Sequence, residues 1–129
     1  MMMQTRVLIA DDRPRSRSGL KAVLALRPEI EIVGEAADGQ EAVRLVAECR
    51  PDVVLMDARM PVLDGVEATR LIKEEWPEVR VVVLTMYPTY REDALAAGAN
   101  AFLIKGCPAR ELVAAITGQS EEKKKGGEL

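Results

Sequence analysis

Short apolar runs alternate along the chain with stretches in which apolar residues recur every three or four positions. The apolar runs predict five strands, at 6–10, 30–36, 53–56, 79–84 and 101–104. The recurring apolar positions predict five helices, from 14 to just before Pro28, around 42–46, and at 66–76, 91–97 and 109–117. Each predicted strand is therefore followed by a predicted helix.

This alternation is typical of a parallel sheet with helices on both faces. Since crossovers between parallel strands are right-handed, few topologies remain. We expect an α/β fold, a flavodoxin-like doubly wound five-stranded parallel sheet with the strand order 2-1-3-4-5. In the first helix the 3.6-residue spacing comes from Leu20, Val23, Leu24 and Leu26, and in the third we expect Ala68, Leu71, Ile72 and Trp76 to face inward.

Polar side chains stand where four of the predicted strands end. Asp11 and Asp12 follow the first strand and Asp57 follows the third, whereas Thr85 ends the fourth and Lys105 the fifth. In an open α/β sheet, ligands bind beyond the carboxyl ends of the strands, near the point where the strand order reverses. The first and third strands are neighbours in the predicted order. We therefore expect the three acids to converge there, flanked by Thr85 and Lys105.

Three carboxylates in one pocket repel each other, by roughly 1 kcal/mol per pair in a water-like medium and about 4 kcal/mol at an effective dielectric constant of 20. A hard divalent cation removes this repulsion, and carboxylates, waters and a substrate phosphate suit Mg²⁺. The ammonium group of Lys105 can hold a phosphate oxygen. Asp57 is then suited to act as the nucleophile toward a phosphoryl donor, and the hydroxyl of Thr85 can donate to the phosphoryl group once it arrives.

Each of these residues taken alone has an ordinary structural explanation. An aspartate after a strand commonly caps a helix or forms a turn. A single lysine is commonly solvated, and a single threonine commonly belongs to a turn. Only the joint occurrence of acids after strands one and three, a hydroxyl after strand four and an ammonium after strand five indicates phosphoryl chemistry.

Composition narrows the class of protein. The chain has 129 residues, a net charge of −3 and 48% hydrophobic residues, as expected for one globular domain without a bias toward nucleic acid or membranes. It lacks histidine, which excludes imidazole bases, histidine metal ligands and an internal phosphohistidine. Cys49 and Cys107 have no paired or metal-type spacing, and no signal peptide or membrane span is recognised, so we expect a cytoplasmic protein. The domain is predicted over 5–118, with 119–129 as a disordered tail or linker stub.

The residues at the strand ends together resemble the motifs of the receiver domain of two-component response regulators. The matching segments are Asp11-Asp12, 56–61 with Asp64-Gly65, Leu84-Thr85 and 103–105, and the resemblance covers about 5–118. The segment 34–39 further resembles the subclass whose output domain is a LuxR-type helix-turn-helix.

The resemblance implies that a sensor histidine kinase transfers a phosphoryl group to Asp57 in a phosphorelay. It implies Mg²⁺ as the cofactor, held by Asp12, Asp57 and the backbone carbonyl of Arg59, with Asp11 acting largely through water. It also implies that the protein catalyses only its own phosphorylation and dephosphorylation. Phosphorylation would switch a protein-interaction surface and favour a homodimer.

The resemblance further indicates which residues transmit the signal. Thr85 and Lys105 would hold the phosphoryl group, and Phe102 stands at the aromatic switch position, whose rotamer follows the movement of Thr85. Phe102 lacks the hydroxyl of the tyrosine that is common there, so its switching would be a packing event. The alternative for Phe102 is a purely structural core aromatic.

Three positions depart from the family pattern. Gly106 follows Lys105 where many receivers have a cis-proline, Pro88 interrupts a shortened segment before helix four, and Met86 stands where receivers usually have a small residue. We expect a different loop after Lys105, a short or irregular helix four, and slower access of phosphodonor or water past Met86.

Two other classes of function fit the pattern less well. A haloacid-dehalogenase-type phosphatase also uses an aspartyl nucleophile and Mg²⁺, but it needs a second aspartate two residues later, where this chain has Arg59. A flavodoxin-like binding module needs a Ser/Thr/Gly phosphate cradle after strand one, where Asp11 and Asp12 would repel an anion. No helix-turn-helix follows helix five, so we expect no direct binding of nucleic acid by this chain.

Overall fold

Five parallel strands form the centre of the computed structural model, which describes residues 3–119. The strands are β1 (Thr5–Ala10), β2 (Ile30–Ala36), β3 (Val53–Met56), β4 (Arg80–Thr85) and β5 (Ala101–Ile104). They pair in the order β2-β1-β3-β4-β5, and every pairing is parallel. The predicted flavodoxin-like topology is confirmed, with β1 and β3 adjacent where the strand order reverses. Apart from Gln119, the segment 119–129 predicted as a tail lies outside the described residues.

Five α-helices cover the two faces of the sheet. They are α1 (Pro14–Leu24), α2 (Gly39–Cys49), α3 (Gly65–Glu75), α4 (Arg91–Ala96) and α5 (Ala109–Thr117). Buried residues of α2, α3 and α4 pack into one core cluster, and those of α1 and α5 pack into another. Three helices therefore lie on one face and two on the other. None of the helices in residues 3–119 combines the length and apolar character that a membrane span requires.

The central strands supply both cores by alternating their side chains. Leu8 in β1 packs toward α2, α3 and α4, whereas Ile9 packs toward α1 and α5, and Val54 and Leu55 of β3 divide in the same way. None of these four side chains is more than 1% exposed. Burying each of them stabilises the fold by roughly 1.5–3 kcal/mol. The end of β3, which Asp57 follows, is therefore held from both faces.

Close backbone contacts fix the loop between β3 and α3. Asp64 caps α3, since its Oδ1 accepts from the amide of Glu67 at 2.8 Å, and the amide of Gly65 donates to the carbonyl of Ala58 at 2.8 Å. Gly65 approaches Asp57 so closely that a Cβ there would lie 1.8 Å from the Asp57 carbonyl oxygen. The start of α3 therefore packs directly against the backbone of Asp57.

The first helix is shorter than its apolar pattern predicts. α1 ends at Leu24, because the amides of Leu26 and Arg27 donate to carbonyls three residues earlier and tighten the chain into a turn. Leu26 consequently leaves the apolar face and is 81% exposed, and Val23 is exposed as well. The 3.6-residue spacing of the first helix therefore does not place Val23 and Leu26 in the core.

Two other helix ends also differ from the prediction. α2 begins earlier than predicted, at Gly39, because the side chain of Asp38 caps it. Trp76 follows α3 as its C-cap instead of belonging to the helix. It is half-buried against the core, and the guanidinium carbon of Arg50 lies 6.0 Å from the ring centroid.

The segment between β4 and β5 has the short helix that was predicted. α4 contains six residues and follows a 3-10 turn at Pro88–Tyr90. After Lys105, Gly106 adopts a φ of +95°, in the left-handed region that glycine reaches without steric cost. Every peptide bond in the described range is trans.

Gly65→Ala is expected to destabilise the protein by about 2 kcal/mol or more, because its Cβ must displace the backbone of Asp57. Gly19→Ala, within α1, is the matched control: nothing lies within 4 Å of the added Cβ, and alanine favours a helix over glycine by up to about 1 kcal/mol. Urea unfolding of both variants should give changes of opposite sign. A Gly65→Ala protein as stable as the parent would contradict the close contact.

Candidate functional site

Three carboxylates meet at the carboxyl ends of β1 and β3. Ala10 pairs with Met56 across these strands, and the amide of Asp57 donates to the carbonyl of Ala10 at 2.9 Å. The residues that follow each strand therefore stand side by side. Asp11, Asp12 and Asp57 each offer one oxygen, and these three atoms lie within 4.8 Å of one another. The convergence that the strand order predicted is confirmed.

The carboxylate of Asp11 is buried and held by three protein donors. Its Oδ1 accepts from the amide of Arg13 at 2.9 Å, and its Oδ2 accepts from the hydroxyl of Ser16 at 2.6 Å and the ammonium of Lys105 at 2.7 Å. Burial by itself would raise the pKa of Asp11, but the hydrogen bonds from Lys105, Ser16 and Arg13 outweigh it and hold the pKa below its ordinary value. Asp11 is therefore ionised at neutral pH, and its oxygens are already engaged.

Lys105 bridges two of the acids. Its Nζ donates to Oδ2 of Asp11 at 2.7 Å and to Oδ2 of Asp57 at 2.9 Å, and only 17% of its side chain is exposed. Burial would lower the pKa of Lys105, but the hydrogen bonds to both carboxylates raise it above its ordinary value. The amide of Lys105 donates to the carbonyl of Thr85 at 2.9 Å, which ties the end of β5 to the end of β4. A positive charge is thus fixed between two negative ones.

Asp57 lines a cavity of about 250 Å³ at this edge of the sheet. Its side chain is 9% exposed, and among the described residues its Oδ1 has only a long hydrogen bond of 3.4 Å, from the amide of Arg59. Asp64, not Asp57, caps the following helix, so the alternative of Asp57 as a helix cap does not apply. The residues that line the cavity are Asp12, Arg13, Asp57, Arg59, Met86, Tyr87 and Lys105. Open space thus adjoins the carboxylate of Asp57.

Asp12 is the most exposed of the three acids. Within residues 3–119, no hydrogen bond or ion pair holds its carboxylate. The oxygens of Asp12 and the weakly bonded Oδ1 of Asp57 are therefore available to a ligand. Carboxylate oxygens are the hard ligands that Mg²⁺ prefers, so the donor set fits this ion.

Thr85 and Phe102 do not line the cavity beside Asp57. Thr85 is fully buried at the end of β4, and its hydroxyl accepts from the amide of Tyr87 at 3.4 Å. Phe102 is half-buried, pairs with Val83 and packs in the core beneath α2, α3 and α4. Since Val83 and Thr85 are two residues apart in a strand, Thr85 and Phe102 share one face of the sheet. The guanidinium carbon of Arg91 lies 5.9 Å from the centroid of the Phe102 ring.

Sequence reasoning missed two side chains that support the acids from α1. Ser16 donates to the carboxylate of Asp11, and Arg17 donates through Nη1 to the Asp11 backbone carbonyl at 2.5 Å. Both residues stand in the first turn of α1, a few residues after Asp11 in the sequence. That short separation was the only indication in the sequence that they could contact the acids. Whether such side chains turn back toward the acids depends on the loop conformation, which the periodic pattern does not specify.

Two pairs of side chains stand at the mouth of the cavity. The guanidinium carbon of Arg59 lies 5.3 Å from the ring centroid of Tyr87, an arrangement that allows a cation–π contact. Nη1 of Arg13 lies 4.0 Å from the sulfur of Met86, whose side chain is 56% exposed. The placement of a bulky Met86 beside the mouth, predicted from the sequence, is what the structure has. Arg13 and Tyr87 were not predicted.

Comparison with known proteins gives a consistent picture. The sequence model of the response regulator receiver domain matches residues 7–117. The transcriptional regulatory protein LiaR of Bacillus subtilis (strain 168) is 42% identical over 127 residues, covering 93% of this chain and 58% of LiaR. The chain spans about half the length of the curated relatives it matches.

Two solved structures are similar in fold as well as in sequence. A LuxR-family response regulator from Aurantimonas sp. SI85-9A1 has a TM-score of 0.83 and 35% identity, with 91% of this chain and 88% of that chain covered. The receiver domain of the sensor histidine kinase PA1611 from Pseudomonas aeruginosa PAO1, solved with a magnesium ion coordinated in its active-site cleft, has a TM-score of 0.79 and 33% identity, with 89% and 96% covered.

The family match extends over nearly all of the described residues. The similar proteins include a regulator of which this chain covers 58% and a receiver domain of which it covers 96%. The chain therefore belongs to the family of two-component response regulator receiver domains, which are phosphorylated on an aspartate, and its relatives include regulators of the LuxR type.

Proposed function

We propose that Asp57 accepts a phosphoryl group from the phosphohistidine of a sensor histidine kinase. The observation that carries this proposal is the ammonium of Lys105, held 2.9 Å from Oδ2 of Asp57 beside a cavity of about 250 Å³. A cation in that position can hold a phosphoryl oxygen next to the nucleophile. These 129 residues contain no histidine, so the donor group lies outside them.

In the transfer, a carboxylate oxygen of Asp57 attacks the phosphorus atom while the nitrogen–phosphorus bond of the donor breaks. The imidazole leaves with the bonding electron pair, and Asp57 becomes an acyl phosphate. Such transition states are loose, so positioning and charge stabilisation lower the barrier more than covalent chemistry does. Lys105 supplies positive charge without losing its proton, because its two carboxylate partners hold its pKa above the ordinary value.

We assign the Mg²⁺ ligands to Asp12, Asp57 and the backbone carbonyl of Arg59, with Asp11 acting through water. Asp12 has no protein partner among the described residues, and Oδ1 of Asp57 has only a bond of 3.4 Å, so both carboxylates are available. Asp11 already accepts from three donors, which favours an indirect role. When bound, the ion neutralises charge on the acids and on the phosphoryl oxygens.

We further propose that the hydroxyl of Thr85 turns to donate to the phosphoryl group and that Phe102 repacks in response. The present hydrogen bond of Thr85 to the amide of Tyr87 is long, at 3.4 Å, so little is lost when the hydroxyl turns. Phe102 shares the face of the sheet on which Thr85 lies and is only half-buried. Because phenylalanine has no hydroxyl, its movement changes the packing around α4 and β5 and makes no new hydrogen bond.

The same site would catalyse both phosphorylation and dephosphorylation of Asp57, with no other substrate. Met86 and Arg13 stand at the cavity mouth, where they slow the entry of water as well as that of the donor. The altered surface near α4 would then favour a phosphorylation-dependent homodimer.

Acetyl phosphate with Mg²⁺ is expected to add one phosphoryl group to the parent protein and none to Asp57→Asn, because a carboxamide is a poor nucleophile. Intact-mass spectrometry measures the modification. Asp52→Asn is the matched control, since its carboxylate stands before the opposite end of β3 and accepts from the amide of Arg6 at 2.9 Å. A phosphorylated Asp57→Asn protein, or loss of phosphorylation in Asp52→Asn, would overturn the assignment.

Mg²⁺ is expected to raise the melting temperature of the parent protein, because an ion that binds only the folded state at 100 times its Kd stabilises it by about 2.7 kcal/mol. Asp12→Ala should fold but lose this response. Asp38→Ala provides the control: it loses the cap of α2, melts earlier by the equivalent of about 1 kcal/mol, and keeps the Mg²⁺ response. Calorimetric melts with and without Mg²⁺ distinguish the two variants. A rise in the melting temperature of Asp12→Ala as large as that of the parent would contradict the metal site.

Lys105→Met is expected to lower the free energy of unfolding by roughly 2 kcal/mol at pH 7 without Mg²⁺, since it leaves two carboxylates facing each other. Asp11, with its lowered pKa, contributes stability above its unfolded value of about 3.9 and loses it as the pH falls through the folded value. Lys105, with its raised pKa, contributes below about 10.4 and loses this as the pH rises through the folded value.

The loss in Lys105→Met should therefore shrink in acid, where protonation of Asp11 removes a negative charge that Lys105 pairs with in the parent protein. Urea unfolding at pH 7 and at about pH 3 measures this difference. Lys21→Met, which removes an exposed lysine from Glu35, should change stability by less than about 1 kcal/mol. An equal loss for Lys105→Met at both pH values would show that packing, and not charge, is the cause.

A further inference from the structure

We propose that Arg17 is a positioning residue that holds Asp12 in place for Mg²⁺. This inference rests on the metal site proposed above and concerns Asp12, whose carboxylate has no hydrogen bond or ion pair to the described part of the chain. Arg17 belongs to α1 and contacts both the end of β2 and the loop after β1. It does not line the cavity beside Asp57.

The guanidinium of Arg17 joins two parts of the chain. Its Nη1 donates to the backbone carbonyl of Asp11 at 2.5 Å, and its Nε donates to Oε1 of Glu35 at 3.1 Å. Glu35 belongs to β2, and its other oxygen accepts from Lys21 at 2.8 Å. Only 19% of the Arg17 side chain is exposed. Arg17 thus connects the loop that carries the acids to an adjacent strand of the rigid sheet.

The hydrogen bond to the Asp11 carbonyl acts on Asp12 because the two residues share that peptide unit. A peptide unit is planar, so fixing its carbonyl oxygen also fixes the direction of the amide and Cα of Asp12. The amide of Asp11 donates to the carbonyl of Ala36 at 3.0 Å, so the preceding peptide is anchored on β2 as well. Since no hydrogen bond or ion pair within residues 3–119 holds the carboxylate of Asp12, the backbone largely sets its position.

The planar fork of arginine suits this task, because it presents donors in two fixed directions, whereas lysine has one flexible ammonium. Its charge, however, works against a metal ion. A guanidinium next to the acids repels Mg²⁺, so removing it would strengthen Mg²⁺ binding if charge were its only effect. If Arg17 positions Asp12, removing it should weaken Mg²⁺ binding. The direction of the change in Kd therefore separates the two effects.

The experiment is calorimetric titration of Mg²⁺ into the full chain and its variants, at a temperature where circular dichroism shows each to be folded. Arg17→Met and Arg17→Lys should both bind Mg²⁺ about fivefold more weakly, which is a change of about 1 kcal/mol. Arg17→Lys keeps the charge and tests the geometry even if Arg17→Met does not fold. Lys21→Met removes a charge from the same glutamate without touching Asp11, and its Kd should stay within about twofold of the parent's or become tighter.

Phosphorylation by acetyl phosphate provides a second readout that a purely structural role would not produce. In Arg17→Lys, the Mg²⁺ concentration for half-maximal rate should rise about fivefold, whereas the rate at saturating Mg²⁺ should stay within about twofold of the parent's. Unchanged or tighter Mg²⁺ binding in Arg17→Lys would overturn the role of Arg17 and leave the metal site intact. An equal weakening in Lys21→Met would overturn it too, whereas a parent protein that does not bind Mg²⁺ would overturn the metal site itself.

Discussion

The balance of charge at one edge of the sheet is the constraint on which the rest of this structure depends. Asp11 and Asp57 are buried just after adjacent strands, and such a pair would repel by about 4 kcal/mol at an effective dielectric constant of 20. The ammonium of Lys105 lies within 3 Å of both and offsets that repulsion. Because Lys105 follows β5, which is separated from β3 by β4, this contact joins three strand ends. A receiver site that must hold several acids together is thereby stable before any metal or phosphoryl group arrives.

The strand that precedes Asp57 is packed more tightly than α4. β3 is buried along its whole length, and Gly65 brings α3 directly against the backbone of Asp57. α4, by contrast, has six residues, follows a 3-10 turn and buries only Ala94. Segments with few buried apolar contacts open most readily. A local rearrangement therefore costs less at α4 than at β3, the strand that carries Asp57 at its end.

The parts of the structure that the sequence predicted are those that follow from strand periodicity. The apolar runs located the five strands, and parallel strands place their ends at one edge, so the meeting of Asp11, Asp12, Asp57 and Lys105 followed from strand order. Thr85 ends β4 as predicted and its carbonyl accepts from the amide of Lys105, but the residue is fully buried and does not line the cavity.

Other features could not be predicted because they depend on the conformation of local turns and loops. Leu26 continues the apolar spacing of α1, yet hydrogen bonds in the turn after Leu24 end the helix first. Ser16 and Arg17 reach Asp11 only because the loop after β1 turns toward them. Periodicity carries no information on contacts of this kind.

The position of Trp76 has an optical consequence. It is the only tryptophan of the chain, and it stands at the far end of α3, whose 11 residues span about 16 Å from the acids. Its fluorescence will therefore report unfolding of the core and the loss of the contact between its ring and Arg50. Ligands that bind at the carboxylates will change this fluorescence very little. Tyr87 lines the cavity itself, so the two kinds of aromatic chromophore provide separate signals for folding and for occupancy of the site.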